Sequence, residues 1–141
     1  MKKRSLEIHI DGASEGNPGK SGIGVVISED GEVINNISKY IGETTNNVAE
    51  YMALIFALQE ALIIRASEVI VKTDSQLLCN QINKSFKVKS GNLKALFEQA
   101  QHMISGFDGF KIVHIPREQN KGADKLATKA IREQAKVTAR H

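Results

Sequence analysis

Between Val48 and Ile64 the chain is dense in Ala, Leu, Met and Glu and apolar on nearly every side, unlike a surface helix with one buried stripe. A helix of this kind has to be buried, so the remaining sequence must supply layers that cover it. Asn46 and Asn47 stand immediately before it, where a side-chain oxygen can cap free backbone N–H groups, and they place its start.

The sequence ahead of this helix reads as strands. Leu6, Ile8 and Ile10 alternate with Glu7, His9 and Asp11, the period-2 pattern of a strand whose faces meet different surroundings, and Asp11 falls at its end. Residues 11 to 19, Asp-Gly-Ala-Ser-Glu-Gly-Asn-Pro-Gly, tolerate tight or left-handed backbone and read as a turn. A second strand begins near Ile23, and residues 22 to 40 divide into two strands around the hairpin loop Glu29-Asp30-Gly31.

After the helix, the β-branched run Glu68 to Thr73 is a fourth strand, closed by Asp74; because a helix leads to it, it lies parallel to the first. Helices at about Ser75 to Asn83 and Asn92 to Ser105, a strand at Phe110 to Ile115 and a helix from about Ala123 to Lys136 follow. The expected fold is α/β: a five-stranded mixed sheet in the order β-β-β-α-β-α-α-β-α, with helices on both faces.

With 141 residues, 41% of them hydrophobic, the chain closes one core, expected as a single domain over residues 1–136 with a frayed tail at residues 137–141. Lys and Arg number 19 against 16 Asp and Glu, a net charge of +3, which permits a nucleic-acid partner without demanding one. The lone Cys79, near Leu77, Leu78 and Ile82, has no disulfide partner and reads as a core residue in a reducing compartment. The first residues are charged like the start of a signal peptide, but an alternating strand follows them. No apolar segment is read as long enough to export or anchor the chain, so a cytoplasmic monomer with no membrane contact is expected.

Four acids deserve a chemical reading, although each has a local one. Asp11 opens an Asp-Gly turn, and Glu50 lies three residues after Asn47, the spacing at which an acid reaches back to a cap residue's N–H. Asp74 can cap the helix after it, and Asp124 sits in the first turn of the last helix, where the dipole favours negative charge. Yet three of them fall where a strand ends or a helix begins, the edge at which open α/β sheets build their sites. Carboxylates brought within a few ångströms cannot all stay ionised without cations, and an all-oxygen ligand set selects Mg²⁺ or Mn²⁺. Two such ions suit phosphodiester hydrolysis, one lowering the pKa of the attacking water and the other steadying the leaving 3′ oxygen, with no protein nucleophile needed.

Four passages occur in order between about residue 5 and residue 132: Asp-Gly-Ala-Ser-Glu-Gly-Asn-Pro-Gly at 11 to 19, Thr-Thr-Asn-Asn-Val-Ala-Glu-Tyr at 44 to 51, Thr-Asp-Ser-Gln at 73 to 76, and Asn-Lys-Gly-Ala-Asp-Lys-Leu-Ala at 120 to 127. In these the chain resembles ribonuclease H of type 1. The resemblance implies that family's fold and hydrolysis of the RNA strand of RNA/DNA hybrids to 5′-phosphate and 3′-hydroxyl products. It makes Asp11, Glu50, Asp74 and Asp124 the ligands of two Mg²⁺ ions, with Mn²⁺ as a substitute. It also places Asn17, Asn46 and Gln76 against the hybrid's minor groove, with Asn47 beside them, and Thr45 against a phosphate of the DNA strand. Neutral amides suit the task, since telling RNA from DNA requires donors and acceptors set against 2′-hydroxyls. The local readings are turn chemistry for Asn17, helix capping for Asn46 and Asn47, and a solvated helix start for Gln76.

Two departures from the family pattern bear on function. Many members carry a Lys- and Trp-rich protrusion after the third acid, whereas here only the stretch from Lys84 to Ser90 joins the two helices and the chain has no Trp, so few basic contacts with the hybrid are expected. The best-known branch carries a mobile histidine before the last acid; here the loop is Pro116-Arg117-Glu118-Gln119. His114 lies inside the strand and reads as packed or on the sheet surface, with a catalytic role as the alternative; the resemblance to branches that lack this histidine makes Arg117 the better candidate to contact the scissile phosphate.

Two readings from other classes compete. Gly19-Lys20-Ser21 matches the end of a phosphate-binding loop, but position 14 is Ser rather than Gly, Pro18 interrupts, and Gly22 to Ile27 continues as a strand instead of a helix. A non-catalytic module that binds hybrid or duplex RNA on the same fold is the stronger alternative. The presence of all four acids argues against it.

Overall fold

Alternation of apolar residues in the first strand, β1 (Ser5–Gly16), puts Leu6, Ile8 and Ile10 in the core of the computed structural model, which describes residues 3–84, 87–89 and 91–139. The chain continues through β2 (Gly19–Glu29), β3 (Glu32–Thr44), α1 (Asn46–Ile64), β4 (Glu68–Thr73), α2 (Gln76–Ile82), α3 (Gly91–Ile104), β5 (Gly109–His114), one 3₁₀ turn (Arg117–Gln119) and α4 (Lys121–Ala139). The five strands lie in the order β3-β2-β1-β4-β5. The β1–β2 and β2–β3 pairs are antiparallel, and the β1–β4 and β4–β5 pairs parallel, as the crossovers through helices require. Element order and sheet type agree with the expectation.

The main correction concerns Asp11. β1 does not stop there: the glycine- and serine-rich stretch pairs with β2 from Asp11↔Gly24 to Gly16↔Gly19, leaving only Asn17 and Pro18, joined by a cis peptide bond, in the turn. Gly and Ser adopt extended backbone as readily as turns when a partner strand satisfies their N–H and C=O groups, and that local ambiguity misplaced the boundary. What ends beside Asp11 is the parallel ladder with β4, whose last pair is Ile10↔Thr73. At the other hairpin, Asp30 (φ 53°) and Gly31 (φ 81°) are both left-handed, as a two-residue turn between twisted strands demands.

Helix α1 is buried as its composition requires, with Tyr51, Leu54, Leu58 and three alanines (Ala53, Ala57 and Ala61) packed into a core shared with Ile23, Val25, Ile27, Val69 and Val71. Its cap is Thr45 rather than Asn46 or Asn47: Thr45 is extended (φ −87°, ψ 161°) and its hydroxyl oxygen accepts the Val48 N–H at 3.2 Å. At 19 residues and a mean hydropathy of 1.4, α1 is long and apolar enough by length and composition to cross a bilayer. That corrects the reading that no segment has the length, and the helix's place in the core accounts for its composition. Cys79 is buried in α2 as expected.

Helix α4 covers the opposite face of the sheet. It runs to Ala139, so residues 137–139 are helical rather than frayed, there being no Gly or Pro after Lys136 to stop it; residues 140–141 lie outside the described ones. In β2 the core residues Ile23, Val25 and Ile27 alternate with Gly22 and Gly24, and these two glycines lie under α4. A Cβ at Gly24 would stand 1.9 Å from the Ala123 carbonyl oxygen and 2.8 Å from the Ala127 nitrogen. Gly12 plays the same part toward α1, where a Cβ would fall 2.3 Å from the Ala49 carbonyl carbon. Both helices therefore touch the sheet backbone to backbone.

Gly24→Ala must push α4 off the sheet, and overpacking of this severity is expected to cost about 3 kcal/mol. Urea unfolding followed by circular dichroism measures it; a loss below about 1 kcal/mol would show that α4 does not depend on this contact.

Candidate active site

Asp11 and Gly24 face each other across the β1–β2 pair, so the Asp11 side chain emerges on the sheet face that α4 covers, and it is only 6% exposed. The end of β4 delivers Asp74 next to it, since Ile10 and Thr73 are register partners. Ser75, not Asp74, caps α2 by accepting the Leu78 N–H at 3.2 Å, which frees the Asp74 carboxylate. Glu50 does not reach back to its helix cap; it accepts the Gly12 N–H at 2.5 Å, because α1 sits directly on that glycine.

One carboxylate oxygen from each of Asp11, Glu50 and Asp74 lies within 4.8 Å of the other two. Asp124, in the first turn of α4, is close enough to Asp11 for a carboxyl–carboxylate hydrogen bond, and Arg117 approaches it to 3.9 Å. All five residues line one open pocket of about 410 Å³, together with Asn46 and Asn47. The four acids expected to gather therefore do so.

Electrostatics explains what this gathering costs. Burial pushes the Asp11 carboxyl up to about 9, with Glu50, Asp74 and Asp124 adding to the shift. Burial likewise pushes Glu50 up to about 8, against the opposing pull of the Gly12 N–H. The donors are all oxygen, and two of the acids keep their protons well above neutrality unless positive charge replaces them. A site of this composition fits a hard divalent cation, which exchanges for those protons.

The remaining candidates divide. Asn46 and Asn47 face the pocket, and Asn17 stands beside them, its Oδ1 accepting the Asn46 N–H at 3.0 Å. Thr45 and Gln76 do not line it: Thr45 caps α1, and Gln76 is exposed at the start of α2. Arg117 lines the pocket, whereas His114 is exposed at the end of β5 and does not. Ser14 and Ser75 line the pocket and were missed by the sequence reading. The Ser14 hydroxyl donates to the Thr44 carbonyl at 2.9 Å and accepts from the buried Ser21 hydroxyl at 3.0 Å, tying the β1–β2 hairpin to the residue ahead of the α1 cap. No local pattern marks Ser14; Ser75 follows Asp74 directly, and its capping position was the available signal.

A family model described as reverse transcriptase-like matches residues 9–130. The chain is 38% identical over 127 residues to ribonuclease HI of Halobacterium salinarum, covering 89% of this chain and 64% of that protein. It is 35% identical over 148 residues to ribonuclease H of Chlorobium phaeobacteroides, covering 92% and 97% of the two chains. The structure of LC11-RNase H1 in complex with an RNA/DNA hybrid superposes with a TM-score of 0.87 at 42% identity, covering 92% of this chain and 99% of the other. The chain belongs to the ribonuclease H family. It spans less than two thirds of several longer relatives, 35% in the case of mycobacterial ones.

Asp11 and Glu50 hold their protons to higher pH in the folded protein than in the unfolded chain, where they titrate near ~4. Without metal, the folded state binds the extra protons between about pH 4 and pH 9 and loses stability as pH rises through that window. Thermal unfolding in a chelator is expected to show Tm falling across it and Asp11→Asn flattening the fall. A level or rising Tm for the unaltered protein would contradict the assignment.

Proposed function

We propose that this protein is a metal-dependent endoribonuclease that hydrolyses the RNA strand of RNA/DNA hybrids. The observation that carries the reading is the convergence of Asp11, Glu50 and Asp74 within 4.8 Å, with Asp124 alongside, in a pocket shared with two asparagine amides. Asp11, Glu50, Asp74 and Asp124 would hold Mg²⁺, or Mn²⁺ in its place. When bound, two such ions supply an acidified water and neutralise charge at the phosphate, giving 5′-phosphate and 3′-hydroxyl ends.

The chain's own residues orient the substrate. Asn46 and Asn47 offer amide donors and acceptors to the 2′-hydroxyls of the RNA strand, with Asn17 bonded to Asn46 beside them and Gln76, exposed at the start of α2, assigned to the same groove. Thr45 uses its hydroxyl oxygen to cap α1, so its proton is available to a phosphate oxygen of the DNA strand. The Arg117 side chain is 81% exposed and, among the described residues, is held only by the 3.9 Å contact with Asp124, free to swing to the scissile phosphate. Glu50, its Oε1 fixed by Gly12, keeps the other carboxylate oxygen for the site.

Incubating the protein with a labelled RNA/DNA hybrid and Mg²⁺ or Mn²⁺, beside Asp74→Asn, tests the reading. Cleavage by the unaltered protein alone is expected. Equal cleavage by both, or none by either, would remove the enzyme; the second result with hybrid still bound would leave a non-catalytic binding module. DNA duplex should not be cut and single-stranded RNA barely, because the groove contacts need hydroxyls on one strand and a deoxy backbone on the other; comparable cleavage of all three would count against the roles of Asn17, Asn46 and Gln76. Arg117→Ala is expected to lower kcat about tenfold or more while KM stays within about threefold, whereas a change confined to KM would assign Arg117 to binding alone.

A further inference from the structure

Asn120 precedes α4 at the position where an asparagine ordinarily caps a helix through its side-chain oxygen. Here it does not. It is 1% exposed, its Nδ2 donates to the Ile10 carbonyl at 2.8 Å across 110 residues of sequence, and its Oδ1 has no protein partner. No other buried side-chain nitrogen or oxygen among the described residues lacks a partner. Burying an unpaired amide oxygen is unfavourable, and an apolar side chain of the same volume would avoid it. What the amide alone supplies is the donor to Ile10.

That donor has a specific place. Ile10 forms the last pair of the β1–β4 ladder and is bonded through its own carbonyl carbon to Asp11. The Asn120 main chain holds two further site residues: its N–H donates to the Arg117 carbonyl at 2.9 Å, and its carbonyl accepts the Asp124 N–H at 3.1 Å. One buried residue thus links the backbones that carry Asp11, Asp124 and Arg117, without lining their pocket. Gly24 lets α4 approach the sheet, but backbone contact at a glycine leaves the helix free to slide; a directional hydrogen bond does not.

We propose that Asn120 is a positioning residue that sets the separation of Asp124 from Asp11, and through it the metal affinity of the site. The inference rests on the four acids being metal ligands. Asn120 acts through the Ile10 carbonyl and touches neither metal nor substrate.

The test compares the unaltered protein, Asn120→Ala, Asn120→Asp, Asn120→Gln and a destabilised control, Leu93→Ala in the α3 core, by calorimetric titration of the metal-free proteins with Mn²⁺ and by hydrolysis kinetics. Asn120→Ala is expected to bind Mn²⁺ about tenfold more weakly than the control and to lose at least about tenfold in kcat, with KM for the hybrid within about threefold. Asn120→Asp should be worse, since it sets an oxygen against the Ile10 carbonyl. Asn120→Gln keeps the amide but moves it one methylene out, and should not restore Mn²⁺ affinity. Asn120 variants matching Leu93→Ala at equal loss of Tm, or full rescue by Asn120→Gln, would overturn the proposal. If Asn120→Asp does not fold, Asn120→Ala and Asn120→Gln carry the comparison. An unaltered protein that binds no Mn²⁺ would overturn this inference and the metal site together, whereas tight binding by that protein and by the Asn120 variants alike would overturn this one alone.

Discussion

Repulsion between carboxylates is the force that the rest of the structure has to oppose. At the 4.8 Å limit separating Asp11, Glu50 and Asp74, each ionised pair repels by about 3.5 kcal/mol at an effective dielectric of about 20. The protein meets this partly with protons, retained on Asp11 and Glu50, and partly with backbone contact. α1 rests on Gly12 and α4 on Gly24, which sets how closely each helix brings its acid to the sheet, and the Asn120 bond to Ile10 fixes where α4 lies along it. The fold is in this sense a clamp, and the charge it holds together is what gives a cation its affinity.

Strand β1 is the fixed member of that clamp. Pairing with β4 aligns Asp74, pairing with β2 brings Gly24 and hence Asp124 opposite Asp11, and its Gly12 N–H holds Glu50. Asp11 sits inside a strand, paired with β2 and one residue past the end of the β4 ladder, rather than on a loop, so the centre of the site inherits the rigidity of the sheet. The groups proposed to face the substrate lie farther out, on the α1 start and on the turn before α4, where Arg117 and Asn47 are exposed.

Much of this was legible in the sequence. Alternation in residues 6 to 11, the all-round apolarity of α1 and the β-branched run before Asp74 gave strands, a buried helix and the parallel crossover, because those signals are periodic and local. The four acids were identified by placement and by motif. Boundaries set by competition were not legible: Gly- and Ser-rich residues 11–16 suit a turn and a strand equally, and only the presence of β2 decides. Caps failed for the same reason. Asn46, Asn47 and Asp74 all look like caps in isolation, and Thr45 and Ser75 take the role because α1 begins at Asn46, ahead of Val48, and α2 begins at Gln76, one residue after Ser75. The Glu50 contact with Gly12 depends on a close approach that no spacing rule contains.

The bond between Asn120 and Ile10 closes a loop of 110 residues, nearly the length of the chain. Contacts of such span form late, since the entropy of closing the loop has to be met before they give anything back. β1, β2, β3 and α1 can associate on a growing polypeptide as soon as they leave the ribosome, while Asp124 arrives only when α4 docks. Before α4 has docked, the folding chain therefore assembles at most three of the four acids. In the finished molecule, detachment of α4 takes Asp124 with it, so an intact site requires α4 to be docked as well as the sheet to be paired.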